Sequence, residues 1–188
     1  MTLKESAMVA FASLTYTVVP SPLGRLTLAA SATGLAGVWF DGQRHLPPAL
    51  AAQPTAWPRD DAHPLLQAAA AQLQAYWRGQ VRSFDLPLDL SAGTPFQRAV
   101  WHALRQVPYG GTVRYGDLAR QLGQPRAVRA LGAAVGRNPL SVVVPCHRVV
   151  GVGGALTGYA GGLERKQALL QLEGALPPVE PPLAGATA

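Results

Sequence analysis

The spacing of apolar residues changes near residue 93, and this change divides the chain into two parts of different architecture. Before it, three short apolar segments, Tyr16–Val19, Arg25–Ser31 and Gly34–Phe40, are joined by turns that contain glycine and proline. Such segments are typical of strands in one sheet. A helix is predicted over Pro64–Trp77, and alternating residues predict a further strand over Val81–Leu90.

After residue 93 the apolar residues recur at helical spacing. Thr94 is a typical N-cap before Pro95, and the predicted helices are Phe96–Val107, Tyr115–Leu122, Pro125 to Ala134 or Gly136, and Gly162–Leu172. We therefore predict an α+β fold. A small N-terminal α/β supporting domain with a three-stranded antiparallel sheet (1–93) precedes a mostly helical C-terminal domain (94–175), and a proline-rich, disordered tail (176–188) follows.

The positive charge lies in the second part of the chain. The net charge is +6, and the basic and acidic residues of 1–93 cancel. Between Thr94 and Arg148 there are eight arginines and one acid, Asp117. A compositional bias explains why arginine is used in place of lysine, but it does not explain why the excess positive charge lies in one half of the chain. This concentration favours a nucleic-acid partner over a small neutral substrate.

Two of the predicted helices, Tyr115–Leu122 and the one that begins at Pro125, form a candidate helix-turn-helix with a short turn at Gly123. The second helix carries mainly alanine and glycine, with Arg126 and Arg129 projecting from it. Small side chains allow a close approach to a nucleic-acid groove, although a helix packed against a neighbour has the same pattern. The spacing leaves both interpretations open.

Cys146 is the only cysteine of the chain. It follows the β-branched run Ser141–Val144, which predicts a short buried strand, and Pro145, which ends strand pairing. The neighbouring imidazole of His147 and guanidinium of Arg148 are expected to favour the thiolate. A lone cysteine is more often a small buried hydrophobic residue, but these neighbours favour a nucleophile.

The cysteine count and hydropathy exclude several classes of protein. One cysteine allows no internal disulfide and no multi-cysteine zinc site, which fits a cytoplasmic protein. No run of eighteen apolar residues is present, so no membrane span is expected. Residues Met8–Leu14 are apolar, but Lys4 and Glu5 make a poor positive region and no cleavage site follows, so no signal peptide is expected.

The segments that carry the candidate chemistry together resemble the O6-alkylguanine-DNA alkyltransferases, in order and at the expected spacings from about residue 94 to 173. The matching segments are Tyr115–Ala119, Asn138–Pro139, Pro145–Val149 and Thr157–Gly162. Over 1–93 the likeness rests only on the order of the predicted elements. The resemblance implies a ribonuclease-H-like N-terminal domain and direct-reversal repair of alkylated DNA by a single-turnover cysteine S-methyltransferase.

The resemblance also implies roles for five residues. Cys146 would accept the alkyl group from O6 of guanine, and from O4 of alkylated thymine, once per molecule. Glu173 would orient His147, which would take the thiol proton through a water. Tyr115 would hydrogen-bond the purine and help to protonate the departing base, and Asn138 would brace the turn beside the cysteine.

Other matching positions concern the base and the DNA. The base pocket would comprise the Cys146 and Val149 carbonyls, the Ala160 amide, Tyr159 and Val135. Arg129 would enter the base stack of minor-groove-bound DNA while the damaged nucleotide is extruded. The remaining DNA contacts implied by the resemblance are Arg126, Ala127, Ala130, Arg114, Thr94 and Gln97.

Partners and alternatives follow from the same residues. We expect duplex DNA carrying O6-alkylguanine as the partner, a monomer in the absence of DNA, no cofactor and no metal. A non-catalytic lesion sensor is the alternative, and the presence of Cys146 argues against it. A DNA-binding regulator normally reads the major groove with varied polar side chains, which the second helix lacks. A cysteine hydrolase is disfavoured because no oxyanion motif is evident.

Overall fold

A computed structural model describes residues 14–51 and 57–177 of the chain. The tail predicted over 176–188 lies outside the described residues from 178 onwards, and so does the apolar N-terminal segment up to residue 13. Within the described ranges, no helix has the length and apolar character needed to cross a membrane.

The first half is a small antiparallel sheet covered by helix. Its elements are β1 (Thr15–Val19), β2 (Leu26–Ala30), β3 (Leu35–Phe40), the single turn α1 (Pro48–Ala51) and α2 (Pro64–Trp77). The sheet order is β1-β2-β3, and both pairings are antiparallel, as predicted. Helix α2 packs against the sheet and buries Leu66, Leu73 and Tyr76, so the predicted helix and the three predicted strands are confirmed.

The strand predicted over Val81–Leu90 is wrong. Only one bridge of this segment reaches the sheet, where Leu88 pairs with Leu35. The Leu35 amide donates to the Pro87 carbonyl and the Asp89 amide donates to the Leu35 carbonyl. Pro87 has no backbone N–H, so the pairing cannot continue on the N-terminal side of Leu88.

The second half is mostly helical, as predicted. Its elements are α3 (Pro95–Leu104), β4 (Val113–Arg114), α4 (Tyr115–Gln121), α5 (Val128–Gly136), β5 (Val149–Val150) and α6 (Leu163–Leu172), with short 3-10 turns over Cys146–Arg148 and Val152–Gly154. β4 and β5 pair in parallel. α3 ends three residues before the predicted Val107.

The second helix of the helix-turn-helix begins later than predicted. The chain between α4 and α5 spans residues 122–127, and the Ala127 amide donates to the Gln124 carbonyl in a turn. Pro125 therefore lies in this turn and is not the first residue of the helix. Arg126 lies in the turn and does not project from α5, whereas Arg129 lies on the helix.

The strand predicted over Ser141–Val144 is also wrong. Only its first amide, that of Ser141, reaches the sheet; beyond it the Val143 amide donates to the Ser141 carbonyl and the Val144 amide donates to the Leu140 carbonyl. Val142 has a φ of 72°, which a β-branched residue adopts only under strain of about 1–3 kcal/mol. Burial of Val142 and Val144 offsets this cost.

The two halves share one hydrophobic core. It includes Leu28 and Phe40 of the sheet together with Trp101 of α3 and Leu131 of α5. β3 also receives the chain that leads to the cysteine, because the Val38 amide donates to the Pro139 carbonyl over 2.9 Å and the Ser141 amide donates to the Val38 carbonyl over 3.0 Å. The sheet thereby positions the segment that precedes Cys146.

Candidate active site

Cys146 opens a 3-10 turn and is almost completely buried, with 4% of its surface exposed. Its Sγ accepts a hydrogen bond from Asn138 Nδ2 over 3.0 Å. Burial raises the pKa of the thiol to about 11, even though the Asn138 bond and the positive charge of Lys166 act to lower it. The expectation of a favoured thiolate is therefore wrong, and the resting cysteine is a neutral thiol that needs a base.

Asn138 joins the thiol to the turn that precedes it. Its Nδ2 also donates to the Val144 carbonyl over 2.8 Å and lies 3.3 Å from the Leu140 carbonyl, while its Oδ1 accepts from the Leu140 amide over 3.0 Å. An asparagine side chain carries two N–H donors and one carbonyl acceptor. All of them are committed here, so Asn138 fixes the turn and the thiol together.

His147 is a buried neutral imidazole. Its Nε2 lies 2.9 Å from Glu173 Oε1, and neither side chain is exposed. Because a carboxylate only accepts, Nε2 carries the proton and Nδ1 is left as an acceptor. Burial lowers the pKa of His147, with Glu173 opposing this effect and the charges of Arg148 and Lys166 assisting it. Nδ1 has no hydrogen-bond partner among the described residues, so it is free to take a proton.

Glu173 accepts hydrogen bonds from three side chains. Besides His147, Arg148 donates from Nε to Oε2 and from Nη2 to Oε1, each over 2.8 Å, and the Tyr76 hydroxyl donates to Oε1 over 2.7 Å. These bonds lower the pKa of the carboxyl to about 2 in spite of its burial. Arg148 also donates to the Val107 carbonyl, so its guanidinium serves Glu173 and does not flank the thiol.

Lys166 and Tyr76 are functional candidates that the sequence patterns did not single out. Lys166 is fully buried in α6, and its Nζ donates to the Val149 carbonyl over 2.5 Å and to the Thr157 carbonyl over 2.7 Å. Burial lowers its pKa to about 8. Lys166 is the only lysine after residue 93, where all other basic residues except histidines are arginines. This exception is the one sequence feature that could have indicated a special role for it.

Of the residues predicted to bind the base, Val149, Tyr159 and Ala160 lie on or next to the segments that Lys166 holds, whereas Tyr115 begins α4 and Val135 lies on α5. The Tyr115 hydroxyl is 3.4 Å from the Thr157 carbonyl and 3.5 Å from the Gly158 carbonyl, and burial raises its pKa. Tyr159 and Val135 are buried, and the Ala160 carbonyl accepts from the Arg44 amide over 2.9 Å. The Val149 carbonyl keeps one lone pair beside its bond to Lys166.

The residues predicted to contact DNA fall into two groups. Arg114, Arg126, Arg129 and Ala130 are exposed and Ala127 is half-buried, as a binding surface requires. Thr94 and Gln97 instead form the capping box of α3: Thr94 Oγ1 accepts from the Gln97 amide, and Gln97 Oε1 accepts from the Thr94 amide. Among the described residues, no group of three or more His, Cys, Asp and Glu side chains is placed to hold a metal ion.

Comparison with known proteins finds close relatives over most of the chain. Residues 14–90 match the ribonuclease-like domain, and residues 95–175 the DNA-binding domain, of 6-O-methylguanine DNA methyltransferase. Proteins named methylated-DNA–protein-cysteine methyltransferase from Mycolicibacterium paratuberculosis and Methanosarcina acetivorans are 47% and 43% identical, over 84% and 85% of this chain and 91% and 97% of theirs.

A solved structure agrees with these sequence matches. The crystal structure of Mycobacterium tuberculosis OGT in complex with DNA is 44% identical, with a TM-score of 0.76 over 86% of this chain and 93% of that one. Together with the three-stranded sheet and the helical second half, this match confirms the predicted fold class.

Proposed function

The chain belongs to the 6-O-methylguanine DNA methyltransferase family, and from this premise we propose that Cys146 is the residue that receives the alkyl group from damaged DNA. The observation that carries the proposal is the arrangement of the only cysteine beside a neutral histidine whose Nε2 is held by a buried carboxylate. This is the arrangement of an activated nucleophile, because the base has its proton-accepting nitrogen available.

His147 supplies the base in this mechanism. Its Nδ1 takes the thiol proton through a water, and Glu173 stabilises the imidazolium that forms. The positive charge of Lys166 and the Asn138 hydrogen bond both favour the thiolate at that moment. The high resting pKa of the thiol means that the protein holds no exposed reactive thiolate before substrate arrives.

Transfer itself is one displacement. A bond forms between Sγ and the alkyl carbon as the bond between that carbon and guanine O6 breaks, and the electron pair of the broken bond passes to O6. Tyr115 stabilises the departing guanine by donating a hydrogen bond to it, and the proton that left the thiol is returned to the base, which leaves as neutral guanine. The products are unmodified guanine and a thioether on Cys146, so each molecule reacts once.

Recognition of the base is assigned to the pocket around the thiol. The Cys146 and Val149 carbonyls accept from the exocyclic amine, the Ala160 amide donates to O6, and Tyr159 and Val135 line the pocket. Lys166 supports this assignment because it holds the Val149 carbonyl in place. O4-alkylated thymine presents its alkyl group in a related position and is proposed as a second substrate.

DNA binding is assigned to α5 and its surroundings. A base inside a duplex cannot reach a thiol that is 4% exposed, so the nucleotide must leave the stack. Arg129 on exposed α5 fills the vacated space, and Arg114, Arg126, Ala127 and Ala130 contact the backbone in the minor groove. Thr94 and Gln97 are also proposed to contact DNA, and they do so while their side chains form the capping box at the start of α3.

The proposal extends to the organisation of the protein. It acts as a monomer on double-stranded DNA in the cytoplasm, without a cofactor. The family matches, which end at residue 90 and resume at residue 95, support a boundary between residues 93 and 94 and a catalytic domain over 94–175.

The number of lesions repaired per molecule tests this function. A duplex that carries one O6-methylguanine in the recognition site of a methylation-blocked nuclease becomes cleavable when guanine is restored. With excess duplex, we expect cleavable DNA to level off at one molecule per protein, and Cys146→Ser to restore none while still binding the duplex. Continued turnover would contradict the proposal, and lesion binding by the wild type without restoration would make it a sensor.

A further inference from the structure

We infer that Tyr76, in the sheet-bearing half, is a positioning residue for alkyl transfer. Its hydroxyl donates a hydrogen bond to the Glu173 carboxylate and so weakens the stabilisation of the protonated imidazole by that carboxylate. His147 therefore stays neutral and available as a base. This inference rests on the proposed function of His147. It gives the N-terminal half a part in the chemistry, where the sequence predicted only a supporting domain.

The hydroxyl of Tyr76 is placed by an aromatic cluster. Tyr76 is the last residue but one of α2 and is fully buried. Its ring centroid lies 5.1 Å from that of Trp77, 5.4 Å from that of Phe84 and 6.1 Å from that of Tyr109. These contacts hold the ring in place, and its hydroxyl lies 2.7 Å from Glu173 Oε1.

The hydrogen bond matters because one oxygen serves three donors. Glu173 Oε1 accepts from Tyr76, from His147 Nε2 and from Arg148 Nη2. Each donor draws negative charge from Oε1 and makes the carboxylate a weaker base. If Tyr76 no longer donates, Oε1 attracts the imidazolium form of His147 more strongly, and a smaller fraction of His147 is neutral at a given pH.

The other groups around His147 do not supply this control. Glu173 favours its charged form, whereas Arg148 and Lys166 disfavour that form by repulsion, and the adjacent Cys146 is a neutral thiol at rest. Burial raises the pKa of Tyr76, so this hydroxyl remains a donor throughout the working pH range. Tyr76 is thus the uncharged group that adjusts how strongly Glu173 acts on His147.

Tyr109 offers a matched control within the same aromatic cluster. Its hydroxyl donates to the Leu172 carbonyl over 3.1 Å, one residue before Glu173, and does not touch the carboxylate. Tyr76→Phe and Tyr109→Phe each remove one hydroxyl and keep the ring. A purely structural role of these hydroxyls predicts similar changes in both variants, whereas the inference predicts a change in proton affinity for Tyr76→Phe alone.

The first measurement is the rate of alkyl transfer from an O6-methylguanine duplex as a function of pH, with protein in saturating excess. For Tyr76→Phe we expect the acidic limb to move up by about half a pH unit or more, which lowers the rate on that limb by roughly threefold or more and changes it little above the limb. Tyr109→Phe should keep the wild-type limb. An unchanged limb in Tyr76→Phe would overturn the inference.

The second measurement does not depend on alkyl transfer. An NMR titration of the four histidines, with His147 identified by loss of its signal in His147→Gln, reports the imidazole pKa directly. We expect this pKa to rise in Tyr76→Phe and to stay in place in Tyr109→Phe, and equal values in all three proteins would overturn the inference. A wild type that titrates but transfers no alkyl group would instead contradict the proposed function.

Discussion

The two halves of this protein handle charge in opposite ways. In the first, Arg25 and Asp41 pair over 2.8 Å with side chains 73% and 45% exposed, and the buried polar residues described there, Thr17, Thr27 and Gln43, are uncharged. In the second, the Arg148–Glu173 pair is buried, and Lys166 is fully buried as well. Burying a charge costs several kcal/mol of desolvation free energy per ion, and this cost is offset only by attraction to a paired charge and by hydrogen bonds. The second half carries that cost where the proposed chemistry takes place.

Removal of one charge from the buried pair should give the largest effect. Glu173→Gln leaves Arg148 without its counter-ion and should lower the free energy of unfolding by about 3–5 kcal/mol in urea titrations. The matched change at the surface, Asp41→Asn, should lower it by at most about 1 kcal/mol. Similar losses in the two variants would remove the distinction between the halves.

Acid should act mainly on the second half. The pKa of Glu173 is about 2, against an ordinary value of 4.5, so the unfolded chain takes up this proton first as the pH falls. The resulting stability, roughly 3 kcal/mol, is fully present above pH 4.5 and is lost as the pH approaches 2. The lowered pKa of His147 acts in the same direction below its ordinary value of 6.5.

Urea titrations from neutral pH down to about pH 3 measure this dependence, and Glu173→Gln serves as the control. The variant should lose stability less steeply over the acidic range, because its side chain at position 173 has no proton to take up. If the wild type and Glu173→Gln had the same slope, the buried carboxylate would not be the source of the acid sensitivity.

The exposed charge of α5 should matter for duplex DNA alone. Arg129→Ala is expected to slow repair in a duplex by roughly ten- to a hundredfold, because the extruded nucleotide leaves a gap that no side chain fills. Its reaction with free O6-alkylguanine base should stay near the wild-type rate. Arg105→Ala, which removes an exposed arginine directly after α3, controls for general electrostatics. Equal losses on duplex and free base would refute the extrusion role.

The smallest expected effect concerns the capping box that opens the second half. Thr94→Ala removes the acceptor for the Gln97 amide and should cost about 1 kcal/mol of stability, measured by thermal or urea unfolding. The exposed Thr112 provides a control substitution with little effect. A loss of DNA affinity in Thr94→Ala without loss of stability would favour a direct DNA contact over the cap.

The sequence predicted elements whose signals are local. The strands that became β1, β2 and β3 have turn residues at their ends, and Pro64–Trp77 has proline at its start and glycine soon after its end. The run Ser141–Val144 misled the prediction because β-branched residues indicate a strand only if a partner strand is available. There, β3 pairs with Leu140 alone and the chain turns at Val142.

For the site, the family resemblance implied that Glu173 orients His147, and the structure places His147 Nε2 2.9 Å from Glu173 Oε1. The ionisation state of Cys146 was not predictable, because burial depends on the whole fold and outweighs the adjacent charges. Tyr76 lies 97 residues from Glu173 in the chain, and no local pattern marks such a pair. The role of Lys166 was not predictable for the same reason, because its two carbonyl acceptors, on Val149 and Thr157, are brought together only by the fold.

Mapping of the transferred group onto the chain tests the central claim most directly. The protein would be mixed with excess duplex carrying one O6-methylguanine, and its intact mass and peptide masses measured. We predict a gain of one methyl group, found only in the peptide that contains Cys146, and no gain in Cys146→Ser. An unmodified wild-type protein, or a methyl group on any other residue, would contradict the account.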